Sequence, residues 1–233
     1  MHDTRSTGGL IKGIAAPLDI ANLDTDQIMP KQFLRGIDKS GLDKGLLWDL
    51  RFDGQGQARS GFVLNRPDYA ETRVLVAGPN FGCGSSREHA VWGLQQYGIQ
   101  AVVAPSFGEI FYSNAMNNGL LAVMLPPAEA AALMERARTH EGDEPLQVEI
   151  DIEARVVRTA GRSSSFALSD RHQKMLLEGL DMIGASLEHA TEIADFAQRH
   201  HAGKPWLRDV ARLTMQRLQR EDALAGVSVK RYK

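Results

Sequence analysis

Three short apolar runs, separated by segments with helical spacing, constrain the fold of this chain most strongly. The runs lie at Val74–Ala77, Gln100–Ala104 and Leu121–Leu125, and an amphipathic or alanine-rich stretch follows each of them. Such runs are typical of strands that are buried on both faces of a sheet. Parallel strands joined by crossovers need helices packed on the sheet faces. The sequence therefore predicts an α/β fold.

Further strand-like segments flank this central part. Leu10–Leu18 is predicted as an early strand, and Leu146–Ile152 alternates apolar and polar residues as a half-buried strand does. Arg155–Thr159 and Phe166–Leu168 are predicted as partners in an antiparallel group. We therefore expect a mixed sheet that contains both parallel and antiparallel pairs.

Capping residues and turn formers predict where helices begin and end. Ser106 has capping-box spacing with the glutamate three residues later, and Ser169 is expected to cap a helix that Gly179 ends. A further helix is predicted over Leu187–His200. Residues 21–28 are predicted as a polar loop, because turn-forming residues are frequent there.

The length of 233 residues suits one domain with an appendage. Residues 1–205 are predicted to form the α/β domain, because a glycine, a lysine and a proline at 203–205 break the helical pattern. Residues 206–233 are charged and carry apolar residues at roughly helical spacing. We predict that they form a C-terminal helical or partly disordered extension.

Composition excludes several classes of partner and site. The net charge is −2, so the chain has no strong basic field for nucleic acid or for a membrane surface. No apolar run approaches the roughly 18 residues of a membrane span, and the first residues lack the apolar stretch of a secretory signal. Cys83 is the one cysteine, so this chain alone forms neither a disulfide nor a cysteine-ligated iron–sulfur or zinc site. We expect a cytoplasmic protein.

The glycine-rich segment Asn80–His89 follows the first of the three apolar runs and carries the candidate site. Its glycines let the backbone approach a ligand closely, and Ser85 and Ser86 present hydroxyls at the predicted start of a helix. Arg87 offers a planar fork for a carboxylate. The positive end of the helix dipole and free backbone N–H groups favour an anion at such a junction. They would also stabilise a serine alkoxide.

Other interpretations of this segment stay open at this point. Ser85 and Glu88 have capping-box spacing, which would make the serine a helix cap only. Cys83 would be a reactive thiol if it lay at a helix N-terminus, although a small buried residue is the commoner outcome. A non-catalytic anion-binding or regulatory module would use the same turn.

The segment resembles the signature of the small subunit of 3-isopropylmalate dehydratase, a family that belongs with the swivelling domain of aconitase. Residues 22–34, 104–107, 110–114 and 179–184 also match motifs of that family, in order, so the resemblance covers about Leu10 to Leu207. It implies a three-layer swivelling β/β/α domain, similar to domain 4 of aconitase, with a mixed sheet.

The resemblance also implies an enzyme that a second chain completes. In this family a separate large subunit holds a [4Fe–4S] cluster, so this chain would bind no cofactor or metal and would join a heterodimer or heterotetramer. The implied reaction is a hydro-lyase isomerisation of 2-isopropylmalate to 3-isopropylmalate through isopropylmaleate, in leucine biosynthesis. Small subunits for other small dicarboxylates (methylmalate or citraconate, dimethylmaleate, homoaconitate) remain as alternatives.

By position in the motifs, the resemblance assigns roles to individual residues. Ser85 matches the serine that removes a proton from carbon, and Ser86 matches the neighbour that assists binding. Arg87 matches the arginine that binds a substrate carboxylate. Asp26 matches an aspartate that lines the site, and Arg35 aligns with a second substrate arginine in a loop where relatives with different substrates differ.

Overall fold

A computed structural model describes residues 9–34, 40–139 and 144–224 of the chain. The strands are β1 (Leu10–Leu18), β2 (Thr72–Ala77), β3 (Ala101–Ala104), β4 (Leu121–Met124), β5 (Gln147–Asp151), β6 (Val156–Thr159) and β7 (Arg162–Ser165). The α-helices are α1 (Thr25–Ile28), α2 (Trp48–Arg51), α3 (Glu88–Tyr97), α4 (Glu109–Asn117), α5 (Pro127–Arg138), α6 (Asp170–Glu178), α7 (Met182–Leu187), α8 (Ala190–Gly203) and α9 (Val210–Leu224). Short 3-10 segments lie at Lys31–Leu34, Leu42–Gly45, Val63–Asn65, Pro67–Tyr69 and Pro205–Leu207.

The strands form one mixed sheet in the order β4-β3-β2-β1-β5-β6-β7. Neighbours from β1 to β4 run parallel, whereas the pairs β1–β5, β5–β6 and β6–β7 run antiparallel. β1 therefore joins a parallel half to an antiparallel half. The predicted α/β fold with a mixed sheet is confirmed.

The two halves of the sheet are buried to different extents. All four residues of β3 are buried, as are Val74–Ala77 of β2, so helices and connecting segments cover both faces there. In β5 only Val148 and Ile150 are buried, and they alternate with more exposed neighbours. The apolar runs are thus buried on both faces and the alternating run on one face, as the sequence predicts.

The last strand lies earlier than the sequence predicts. Phe166–Leu168 is not a strand. β7 comprises the four polar residues that precede Phe166, and it pairs with β6 so that Arg162 of β7 lies opposite Thr159 of β6. Phe166 and Leu168 are buried instead as core residues that follow the strand. A strand at the edge of a sheet pairs on one side only, so it tolerates a polar sequence that gives no apolar signal.

Residues 21–28, predicted as a loop, contain the short helix α1. The Asp24 carboxylate accepts from the Gln27 amide at 2.7 Å, and the Gln27 side chain accepts from the Asp24 amide at 3.1 Å. This reciprocal pair is a capping box, which stabilises a helix as short as this one.

Of the two caps predicted for later helices, one is confirmed. Ser169 accepts a hydrogen bond from the His172 amide, and Gly179 ends α6 in the left-handed conformation. Ser106 does not cap α4, whose N-cap is Gly108, because the Ser106 hydroxyl is engaged by the Asn80 amide.

The chain divides into two compact units, the first ending at Met182 and the second beginning at Ile183. The helix predicted over Leu187–His200 is present in the second unit as α8, displaced by about three residues. Compactness does not measure independent folding, so the domain boundary after residue 205 stays a prediction. Within the described ranges, no helix combines the length and the hydropathy that crossing a membrane requires.

Candidate active-site loops

Three segments meet at one edge of the sheet and form the candidate site. They follow β1, β2 and β3, which are parallel neighbours, so their carboxyl ends lie side by side. This edge is where open α/β sheets bind ligands. The predicted position of the glycine-rich segment, directly after a buried strand, is confirmed.

The segments after β1 and β2 are hydrogen-bonded to each other, and we call the pairing of residues 22–25 with residues 79–85 the loop seam. The Gly82 amide donates to the Leu23 carbonyl at 2.8 Å, and the Thr25 amide donates to the Cys83 carbonyl at 2.9 Å. The Cys83 thiol donates to the Asn22 carbonyl, with 3.3 Å between sulfur and oxygen. The seam thus extends the parallel β1–β2 pairing beyond the sheet.

The third segment supports the seam from the side of β3. The Phe81 amide donates to the Ser106 carbonyl at 3.1 Å, and the Gly108 amide donates back to the Phe81 carbonyl at 2.9 Å. A side chain at Gly108 would collide with backbone, because its Cβ would lie 2.6 Å from the Gly82 carbonyl oxygen. The segments that follow β2 and β3 therefore leave no room for a side chain between their backbones at Gly108.

Gly82 is required at its position for two reasons. Its φ is +73°, a left-handed conformation that disfavours other residues. A Cβ there would also lie 2.2 Å from the ring of Phe111, which is buried in α4. Gly82 thus allows close packing against Phe111, and the predicted close approach of this backbone to a ligand stays a prediction.

The two serines precede helix α3 and do not belong to it. Ser85 and Ser86 are exposed, and α3 begins at Glu88 with Arg87 as its N-cap residue and no side-chain cap. The interpretation of Ser85 as a helix cap is therefore wrong. The Ser85 carbonyl accepts a hydrogen bond from the Thr25 hydroxyl at 2.8 Å, so the loop is held by its backbone.

Arg87 and Asp26 are brought together, as expected for residues of one site. Nη1 of Arg87 lies 2.7 Å from Oδ1 of Asp26, and the arginine side chain is 15% exposed. Both atoms are shielded from water but are not aligned as a hydrogen bond, so the contact is an ion pair. Nζ of Lys31 lies 3.7 Å from the other oxygen of Asp26. Arg35, the second predicted substrate arginine, lies outside the described residues.

An aromatic series extends from the third segment to α6. The Phe107 ring lies 6.1 Å from that of Tyr112, which lies 6.1 Å from the His172 ring. Burial raises the pKa of Tyr112. Burial and, to a smaller extent, the charge of Arg171 lower the pKa of His172. Both rings are therefore neutral near pH 7.

Sequence reasoning missed the residues that hold the loops. Thr25 and Lys31 were given no role, and Ser106 was predicted only as a helix cap. One signal was present: Thr25 lies between two aspartates and directly follows the residue that caps α1. Its burial depends on residues 60 positions away, which no local pattern reports.

Metal ligation by this chain has little support in the described residues. Those residues contain no group of three or more His, Cys, Asp or Glu side chains placed to hold a metal ion. The one cysteine is partly buried, and its thiol is bound to a carbonyl. A single thiolate does not fit a cysteine-ligated iron–sulfur cluster, which needs three or four.

Comparison with known proteins gives the family. A family model described as the aconitase C-terminal domain matches residues 10–128, and one described as the C-terminal domain of the 3-isopropylmalate dehydratase small subunit matches residues 182–210. A 3-isopropylmalate dehydratase small subunit 1 from Chromobacterium violaceum is 59% identical over 208 residues, which are 89% of this chain and 97% of that relative. The chain belongs to the family of 3-isopropylmalate dehydratase small subunits.

Two further proteins of this dehydratase family are similar to the chain. A small subunit from Caulobacter vibrioides is 46% identical over 198 residues, which are 84% of this chain and 96% of that protein. A crystal structure of 3-isopropylmalate dehydratase from Methanocaldococcus jannaschii has a TM-score of 0.57 and 28% identity, covering 80% of this chain and 98% of that one. The aconitase-type fold is confirmed, and membership of a family of small subunits implies a large-subunit partner.

Proposed function

We propose that this chain is the small subunit of an enzyme that isomerises 2-isopropylmalate to 3-isopropylmalate through isopropylmaleate, in leucine biosynthesis. The observation that carries the proposal is the loop seam. It holds the family's serine-serine-arginine motif at the carboxyl edge of a parallel sheet, with Arg87 ion-paired to Asp26. A catalytic loop on such a rigid support is what a hydro-lyase half-site requires.

We propose that the large subunit holds the [4Fe–4S] cluster, since this chain has one cysteine. What this chain supplies is a base and an anion clamp. Ser85 would remove the proton from carbon and return a proton when isopropylmaleate is rehydrated. The exposed position of its hydroxyl suits a substrate that a second chain presents.

Arg87 would bind a substrate carboxylate. Abstraction of a proton beside a carboxylate builds negative charge, which a fixed guanidinium stabilises in a site closed to water. Asp26 contacts the Nη1 end of the fork, and this contact would hold the guanidinium in place for the ligand. Lys31 offsets part of the Asp26 charge, so the pair remains attractive to an anion. Ser86 would assist substrate binding, and Arg35 would supply a second contact.

Reconstitution tests the proposal. The purified chain alone should show no turnover, and mixing it with the large subunit should produce interconversion of the two isopropylmalates, followed by chromatography. Turnover by this chain alone would overturn the proposal. Faster turnover of methylmalate, dimethylmaleate or homoaconitate by the pair would favour a related hydro-lyase instead. The mass of the active complex distinguishes a heterodimer from a heterotetramer.

Two further outcomes would assign the loops to another class. Dicarboxylate binding that survives the Ser85→Ala substitution and needs no large subunit would indicate a non-catalytic binding module. Loss of turnover in Cys83→Ser with an intact fold would indicate a thiol enzyme.

We also propose a cytoplasmic location, because the one cysteine is a free thiol. Cell fractionation would test this location.

A further inference from the structure

Two threonines are the only fully buried polar side chains among the described residues, and one of them lies in the loop seam. Thr25 is 1% exposed and Thr72 is 2% exposed. The Thr25 hydroxyl donates to the Ser85 carbonyl at 2.8 Å, and its amide donates to the Cys83 carbonyl at 2.9 Å. Thr25 therefore binds the glycine-rich segment at two carbonyls on either side of Gly84.

From these contacts we infer that Thr25 is the positioning residue for Ser85. The inference rests on the proposed role of Ser85 as the base. Ser85 lies in an exposed loop before α3, so no helix holds it. Gly84 has a φ of +92°, and its conformational freedom makes it a pivot. The Thr25 hydroxyl holds the peptide plane between Ser85 and Ser86, one residue beyond that pivot, and thereby restricts the direction of the Ser85 side chain.

Helix α1 thereby anchors both functional side chains from adjacent residues. Thr25 holds the backbone of Ser85, and Asp26 holds the guanidinium of Arg87. The Asp24–Gln27 capping box fixes α1 itself. A displacement of the whole helix would therefore disturb the base and the clamp together, whereas loss of the Thr25 hydroxyl alone releases only the Ser85 backbone. Displacements of about 1 Å at a reacting group lower rates by about 100-fold.

The test compares Thr25→Val with Thr25→Ser in the complex with the large subunit, with Thr72→Val as the matched control. Thr72 is equally buried, and its hydroxyl donates to the Tyr69 carbonyl at 2.7 Å in a turn before β2. Thr25→Val should lower kcat by about 10- to 100-fold and change KM less than about twofold. Thr25→Ser should retain kcat within about threefold, and Thr72→Val should keep kcat while losing similar stability.

A double substitution separates positioning from a general structural effect. If Thr25 acts through Ser85, Thr25→Val should lower the residual rate no further in a Ser85→Ala background. An equal loss in both backgrounds, or no rescue by Thr25→Ser, would overturn the inference.

A second measurement does not depend on turnover. In the isolated chain, iodoacetamide should alkylate Cys83 several-fold faster in Thr25→Val than in Thr72→Val, because the seam loses an anchor next to the thiol. Equal alkylation rates would overturn the inference about Thr25. This outcome does not depend on whether the proposed reaction is correct. Should Thr25→Val fail to fold, Thr25→Ala provides the same comparisons.

Discussion

Both compact units contain apolar residues at helical spacing, but among the described residues only the first unit has buried ones. Phe111 in α4 is 1% exposed and packs against the Phe81 ring at 5.2 Å. In the second unit, Phe196 of α8 is 60% exposed and Trp206 is 70% exposed. Helical periodicity thus creates an apolar face, whereas burial needs a second element to cover it, and the sheet provides that cover in the first unit.

We therefore expect the first unit to carry both the stability of the isolated chain and the residues of its half-site. The largest effect should come from Ser85→Ala, which should lower turnover of the reconstituted pair by about 10²- to 10⁴-fold, the usual contribution of a general base. Because Ser85 is exposed, thermal unfolding should be unchanged. Ser60→Ala, at another exposed loop serine, is the control. Near-normal turnover in Ser85→Ala would remove that residue from the base role.

Phe111→Ala should destabilise the chain by about 3–5 kcal/mol, because it removes a buried ring from the core and from the contact with Gly82. Urea unfolding followed by circular dichroism measures this loss. A change below about 1 kcal/mol would mean that the first unit is not the stable part, and the comparison would fail.

Asp26→Asn should have an intermediate effect, on binding more than on stability. The neutral amide cannot form an ion pair with the Arg87 guanidinium, so the clamp is held less firmly. We expect KM for isopropylmalate to rise about tenfold, which corresponds to about 1.4 kcal/mol. Lys31→Met removes the more exposed neighbour and should change KM less than about twofold. A larger effect of Lys31→Met than of Asp26→Asn would contradict the assigned geometry.

The smallest effect should come from Phe196→Ala in the second unit. The side chain is largely exposed and contacts the ring of His200 at 5.4 Å. The free energy of unfolding of the isolated chain should change by less than about 0.5 kcal/mol. A loss close to that of Phe111→Ala would show that Phe196 is covered and would end the contrast between the units.

The sequence predicts the elements that its apolar pattern defines. β2, β3 and β4 coincide with the three buried runs, and the alternating segment is β5. β7 was missed because an edge strand of arginine and serines has no such pattern. The Ser106 cap was wrong because the Asn80 amide, from a distant segment, binds the Ser106 hydroxyl. The Ser85 cap was wrong because α3 begins only at Glu88, with Arg87 as its N-cap residue.

The site was predictable in its residue types and less so in its construction. The motif places Ser85, Ser86 and Arg87 together, and the sequence resemblance adds Asp26, which the structure brings to Arg87. The anchors that hold these groups come from a buried threonine and a backbone seam. Burial and backbone pairing arise from tertiary contacts, so composition and spacing do not reveal them.

The loop seam also determines when, during folding, the chain forms its half-site. Its side-chain bonds join residues that are far apart in the sequence: Thr25 and Ser85 are 60 positions apart, and Cys83 and Asn22 are 61 positions apart. Contacts of that separation require closure of a long loop and form slowly compared with local helices. Ser85 and Arg87 are therefore held in place only after β2 has paired with β1, with Leu18 opposite Ala77. In refolding of the full chain, we therefore expect the local helices to form before the half-site does.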